Sequence, residues 1–156
     1  MNYDISEVYQ FAIGIENNGE MFYKRLAKEI ENEDIRNFFN NLANDEMSHK
    51  KTFESMLSKI KEYKSSNIYP DEYFAYLRAY VKDRVFPSEI SKETLKEVKN
   101  LIFAVNYSID LELGSIFYYT EIKSLLPTDQ KGFVDDIISE ERKHFSKLFN
   151  LLKTLE

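Results

Sequence analysis

Two histidines occur in the chain, and each follows a glutamate by three residues: Glu46-Met-Ser-His49 and Glu141-Arg-Lys-His144. On an α-helix three residues turn about 300° and rise about 4.5 Å, so a carboxylate and an imidazole at that spacing share one face and can share a metal ion. Glutamate fills 18 of 156 positions, so chance would seldom place one three residues ahead of both histidines. A twofold Glu-x-x-His is a donor pattern for two ions.

The neighbours of these motifs show which way they point. An apolar stripe at helical spacing runs Ile35, Phe38/Phe39, Leu42, Phe53, Met56/Leu57, Ile60, and Glu46 and His49 take the slots in its middle. Val134, Ile137, Leu148, Leu151/Leu152 and Leu155 form a second such stripe, interrupted by Glu141 and His144. Two further stripes carry one glutamate each. Ile5, Val8, Ala12, Gly19, Tyr23, Leu26 and Ile30 surround Glu16, while Val98, Ile102, Val105, Ile109, Ile116 and Tyr119 surround Glu112. A buried carboxylate without a partner is costly enough that it neutralises, pairs or binds metal. The candidate ligands, and with them the candidate catalytic residues, are therefore Glu16, Glu46, His49, Glu112, Glu141 and His144.

The two halves of the chain read as a repeat. Ninety-six residues separate Glu16 from Glu112, and 95 separate both Glu46 from Glu141 and His49 from His144. One glutamate from each of two helices and Glu-x-x-His from each of two others is the donor set of ferritin-like dinuclear carboxylate bundles. Four carboxylates with two neutral imidazoles carry a charge that two divalent ions balance. Oxygen and nitrogen donors without thiolate suit iron or manganese, and zinc could also occupy such a site.

These residues need helices to hold them, and the composition supplies helices. Glycine (4) and proline (3) are scarce and alternating polar–apolar runs are lacking, so an all-α fold is expected, as one domain over residues 1–156. Asp4-Ile-Ser-Glu7 resembles a capping box for a first helix to about residue 31, and Asn32 and Asp34 allow a turn into a second helix to about 63. The long connection spans about 64–93, with a break at Ser65-Ser-Asn67, Pro70 at a helix start, a short aromatic-rich helix from Asp71 to about Arg84, and a stop at Pro87. Thr94-Leu-Lys-Glu97 looks like the capping box of the third long helix. Leu126-Pro127-Thr128-Asp129 closes it and opens the fourth. Two short hairpins flanking one long crossover give a four-helix bundle in which the second and third long helices run parallel.

The net charge of −6 without a basic stripe argues against nucleic acid as a partner. No apolar run is long enough to cross a membrane, and the first residues lack the pattern of a signal peptide, so a cytoplasmic protein is expected. Cysteine is absent, which excludes disulfides and Cys-ligated iron within the chain and leaves any reducing electrons to an external donor.

The segments Ile13-Gly-Ile-Glu16-Asn-Asn-Gly-Glu-Met-Phe-Tyr23, Leu42-Ala-Asn-Asp-Glu46-Met-Ser-His49, Ile109-Asp-Leu-Glu112-Leu-Gly-Ser-Ile-Phe-Tyr-Tyr119 and Ile138-Ser-Glu-Glu141-Arg-Lys-His144 together resemble the rubrerythrin-type branch of the ferritin-like superfamily. The resemblance covers nearly the whole chain. It implies a non-haem di-iron centre that reduces hydrogen peroxide or dioxygen while ferrous iron is oxidised, in a homodimer or larger assembly. It further implies that Glu46 and Glu141 bridge the metals, Glu16 and Glu112 are terminal ligands, and each histidine caps one ion. Full-length rubrerythrins add a rubredoxin domain with four cysteine ligands, which this chain does not contain. Peroxidase-type members place an extra glutamate three residues after the third-helix ligand, where this chain has Ser115.

Other readings stay open at this level. A ferroxidase that handles iron would need a cage or partner shell, and a bundle whose metals only hold the helices together would show no turnover. Glu20, one turn after Glu16, reads as an exposed helix charge, with a substitute ligand or proton relay as the alternative. Tyr23 and Tyr119, seven residues after Glu16 and Glu112, read as core aromatics or as hydrogen-bond donors to a ligand. Asp45 and Glu140, one turn before the histidines, are either solvated charges or acceptors that orient an imidazole. The cluster Tyr69, Tyr73, Phe74, Tyr76 and Tyr80 is expected to pack over the bundle or at a dimer contact.

Overall fold

The computed structural model describes residues 5–60, 71–85, 87 and 89–156. Among these residues the regular elements are all helical: α1 (Ile5–Lys28), α2 (Glu33–Ser58), α3 (Asp71–Arg84), α4 (Lys92–Glu97), α5 (Leu101–Ile122) and α6 (Lys131–Leu155). Two short 3₁₀ turns, Lys123–Leu125 and Thr128–Gln130, join α5 to α6. The architecture is a ferritin-like four-helix bundle of α1, α2, α5 and α6, with α3 and α4 lying between its second and third long helices in sequence.

The bundle is made of two hairpins. α1 packs along α2 and α5 along α6, whereas α1–α5 and α2–α6 meet more sparsely. In α1 the buried Ile5, Val8, Ala12, Ile15, Gly19, Phe22 and Leu26 recur at three- and four-residue steps, giving one buried face. α2 opens on Asn32, whose side chain accepts from the Ile35 amide at 3.0 Å, and Glu33 and Asp34 add negative charge where the helix dipole is positive.

Aromatic residues fill the space between the hairpins. Tyr9, Tyr23, Phe39, Phe53, Tyr118 and Tyr119 have no accessible surface, and the ring of Phe53 lies 6.4 Å from that of Tyr9 and 5.1 Å from that of Tyr119. Their hydroxyls are bonded as burial demands. The Tyr118 hydroxyl donates to the Val8 carbonyl at 3.1 Å. The Tyr9 hydroxyl donates to Gln130, whose amide donates on to the Met56 carbonyl at 3.1 Å.

α3 lies against the bundle. Leu77 is buried, Arg78 grips both oxygens of Glu7 at 2.6 and 2.8 Å, Tyr73 donates to Glu121, and Tyr80 donates to the Gly114 carbonyl with its ring 4.7 Å from that of Phe117. Tyr73 and Tyr80 thus pack on α5, as expected, whereas Tyr76 is 47% exposed. Tyr69 lies outside the described residues, as do Asp4, Ser65-Ser-Asn67 and Pro70. None of the described helices is long and apolar enough to cross a membrane.

Several element ends differ from expectation. α1 stops at Lys28 and α2 at Ser58, short of residues 31 and 63. Thr94 does not open the third long helix. It belongs to the separate helix α4, capped by the Ser91 side chain, and α5 starts afresh where Asn100 accepts from the Phe103 amide at 3.2 Å. Ile102, expected in the core, is 41% exposed. α5 is apolar on nearly every face, so periodicity could not separate its inner side from its outer.

Replacing Asn100 with Ala should cost about 1 kcal/mol through the lost cap. Phe53→Ala should cost about 3–5 kcal/mol through the cavity it leaves. Denaturant melts of the metal-free protein test both; an Asn100→Ala variant as stable as the parent would mean that α5 does not depend on that start.

Candidate metal centre

All six residues predicted from the sequence converge in the middle of the bundle. α1 supplies Glu16, α2 supplies Glu46 and His49, α5 supplies Glu112, and α6 supplies Glu141 and His144, every one of them buried. Their donor atoms form two overlapping sets, Glu16, Glu46, His49, Glu141 and Glu46, Glu112, Glu141, His144, each with its donors within 4.8 Å of one another. Glu46 and Glu141 belong to both sets.

Glu141 stands between the imidazoles. Its Oε1 is 2.7 Å from His49 Nδ1 and its Oε2 is 3.1 Å from His144 Nδ1. His49 Nδ1 also faces Glu16 Oε2 at 3.5 Å, and His144 Nδ1 faces Glu46 Oε1 at 3.3 Å and Glu112 Oε1 at 3.4 Å. The two rings lie nearly parallel, centroids 5.8 Å apart.

The outer nitrogens are held crosswise. His49 Nε2, on α2, meets Glu140 Oε2 of α6 at 2.5 Å, and His144 Nε2, on α6, meets Asp45 Oδ2 of α2 at 3.0 Å. Each of these half-exposed carboxylates therefore holds the histidine of the opposite helix and fixes which nitrogen faces inward. The tyrosines cross in the same way between the other two helices. Tyr23 of α1 donates to Glu112 Oε1 of α5 at 2.6 Å, and Tyr119 of α5 donates to Glu16 Oε1 of α1 at 2.6 Å. Both are donors to site glutamates, not plain core aromatics. Burial, reinforced by Glu112 for Tyr23 and by Glu16 for Tyr119, pushes the phenols well above their ordinary range, so they keep the proton they donate.

Glu20 is not an exposed charge. It is 7% exposed, and its oxygens accept from Lys24 at 2.7 Å and Lys50 at 3.1 Å. Burial pushes this carboxyl up, but the two ammonium groups outweigh it and bring it below the ordinary value. Glu20 belongs to neither donor set. Lys24 one turn on was the visible hint; Lys50, from the neighbouring helix, could be paired with it only in three dimensions. Ser115 is buried, and its hydroxyl donates back to the Leu111 carbonyl at 3.2 Å.

Four carboxylates in a dry core repel one another, and in the metal-free state protons relieve them. Desolvation, with Glu141 and Glu16 alongside, drives Glu46 well above the carboxylate range. Desolvation and Glu141 lift Glu112 to about 8. Burial and Glu16 act on Glu141 in the same direction, yet hydrogen bonds from Glu112, His144 and His49 hold it below its ordinary value. Burial alone would pull the histidines down. The hydrogen bond to Glu141 and the facing Glu16 carboxylate instead raise His49 to about 12, and Glu112 and Glu141 raise His144 to about 11.

Three buried carboxylate oxygens, Glu16 Oε2, Glu46 Oε1 and Glu112 Oε2, have no hydrogen bond. Each such acceptor costs about 1–3 kcal/mol when left unsatisfied. Cations placed among them would satisfy all three, and the oxygen–nitrogen donor set suits divalent first-row metals. The residues present therefore fit a pair of metal ions.

Fold and site together define a class, the four-helix bundle that buries a paired carboxylate–histidine metal site between its hairpins. The chain belongs to the rubrerythrin family, which it matches over residues 7–151. Among solved structures it is similar to a Thermotoga maritima protein described as ferritin-like and diiron-carboxylate, determined at 2.30 Å. The two are 26% identical, with a TM-score of 0.66 over 99% of this chain and 98% of that one. No curated protein matches the chain.

Metal uptake must displace the protons held on Glu46, Glu112 and the histidines, because groups with raised values are protonated near neutrality. Uptake should therefore release protons, and affinity should fall as pH drops from about 8 to about 6. Cobalt titration in weakly buffered dye solution reads both effects; uptake without acidification would contradict the assigned protonation. Glu140→Ala or Asp45→Ala should weaken binding by about 10–100-fold, with recovery in Glu140→Gln and Asp45→Asn, which retain an acceptor oxygen.

Proposed function

We propose that the chain is a non-haem di-iron oxidoreductase of rubrerythrin type that reduces hydrogen peroxide or dioxygen while ferrous iron is oxidised. The observation that carries this reading is the pair of overlapping four-donor sets with Glu46 and Glu141 common to both. The similar Thermotoga maritima protein, named for a diiron-carboxylate centre, supports it. Iron is favoured over zinc because the reading is redox chemistry, and manganese has the same donor preference.

In this reading Glu46 and Glu141 are shared ligands. Glu16 with His49 completes one site, and Glu112 with His144 completes the other. A bound ferrous pair supplies the two electrons that cleavage of one O–O bond requires. Peroxide takes up those two electrons and two protons and leaves as two waters. Tyr23 and Tyr119 hold the terminal carboxylates in place, Asp45 and Glu140 hold the imidazoles, and the rings of Phe39 and Phe53, packed on Tyr23 and Tyr119, exclude bulk water. Re-reduction falls to an external donor, since the chain carries no cysteine for an iron–sulfur relay of its own. The proposal includes a homodimer, favoured by the exposed Ile102, Leu113 and Phe117 of α5, and a cytoplasmic setting.

Anaerobic ferrous titration of the metal-free protein should saturate at two irons per chain. Mixing with peroxide or dioxygen should then develop near-ultraviolet absorbance of a ferric pair, faster with the physiological oxidant. Glu46→Ala and Glu141→Ala should each lose paired loading and turnover together. Two irons retained in those variants would overturn the ligand assignment, and loading without oxidation would leave only a metal-stabilised bundle.

A further inference from the structure

Gly19 lies on the buried face of α1, one turn after Glu16. A glycine inside a helix weakens it relative to alanine, since the bare backbone loses more freedom on folding. Conformation does not explain its presence, because no described glycine has a positive φ. Space does. A Cβ built on Gly19 would stand 3.2 Å from Glu46 Oε2 and 3.4 Å from both Cδ and Cγ of that side chain. Gly14, five residues earlier in the same helix, would meet nothing within 4 Å.

The side chain pressed against Gly19 is one of the two carboxylates common to both donor sets. Its counterpart, Glu141, is braced on both oxygens by the histidine Nδ1 atoms at 2.7 and 3.1 Å. Glu46 is held more loosely: its Oε1 faces His144 Nδ1 at 3.3 Å without a hydrogen bond. It is 1% exposed, and the side of its carboxyl that carries Oε2 lies against the bare backbone of Gly19, so the shape of that wall contributes to its placement. The corresponding position in the second half of the chain is Ser115, also small and buried.

We infer that Gly19 is a positioning residue for the metal centre: the missing side chain is the slot that lets the Glu46 carboxylate stand between the two donor sets. The inference rests on the metal-centre reading. Gly19→Ala narrows the slot and makes the Glu46 carboxylate give way by a few tenths of an ångström, whereas Gly14→Ala makes the same change of helix propensity with no such contact.

The test is a cobalt titration of metal-free wild type, Gly14→Ala, Gly19→Ala and Gly19→Ala/Glu46→Asp, with folding followed by circular dichroism. Wild type and Gly14→Ala should take up two ions per chain with equal affinity. Gly19→Ala should stay helical but bind one of the two ions at least tenfold more weakly, and the shorter aspartate should recover part of that loss. Gly19→Ala binding both ions within twofold of wild type would overturn the inference, as would an equal loss in Gly14→Ala. If Gly19→Ala does not fold, the pair Gly19→Ala/Glu46→Ala decides: regained folding places the conflict at Glu46, and continued unfolding overturns the inference. Failure of wild type to bind cobalt would bring down the metal-centre reading itself, and this inference with it.

Discussion

Four carboxylates cannot share a dry core without positive charge among them, and that requirement organises this bundle. Removing an ionised carboxylate from water is expensive, and a second one beside it adds repulsion. The structure meets the cost with what a protein can provide: two imidazoles drawn between the acids, two phenols donating to them, and protons on Glu46 and Glu112. Three oxygens are still left without hydrogen bonds. A polypeptide seldom tolerates so concentrated a deficit unless something from outside the chain completes it.

The same requirement explains how two hairpins become one molecule. Within a hairpin the helices are held by long apolar contacts; between hairpins the contacts are sparser. Where the hairpins meet, the bonds come in crossed pairs, Tyr23 with Glu112 and Tyr119 with Glu16 between α1 and α5, His49 with Glu140 and His144 with Asp45 between α2 and α6. The polar centre is thus a joint as well as a site. Around it Tyr9, Phe39, Phe53 and Tyr118 form the apolar collar that keeps its dielectric low and its interactions strong.

Five of the six candidate ligands were legible because polar residues at core positions interrupt a helical period, and Glu112, in the nearly all-apolar α5, through its 96-residue offset from Glu16 as well. The tyrosines were half legible. Their seven-residue offset puts each on the face of the glutamate in its own helix, but the glutamate each one bonds belongs to the other hairpin, a relation no local spacing contains. Asp45 and Glu140 were visible as neighbours of the histidines, whereas their crossing was not. Glu20 was misjudged because one of its two partners, Lys50, comes from α2, far off in sequence. The false start at Thr94 has a similar origin: a good capping sequence exists there, but it opens only one short helix before Asn100 begins the next.

Each donor set draws on both hairpins. Glu16, Glu46 and His49 precede the crossover, while Glu141, needed by both sets, lies in α6. A ribosome making this chain releases three donors of the first set long before the fourth exists. Neither four-donor set can be complete until α6 has been made, so the centre is the last part of the chain's chemistry to be assembled.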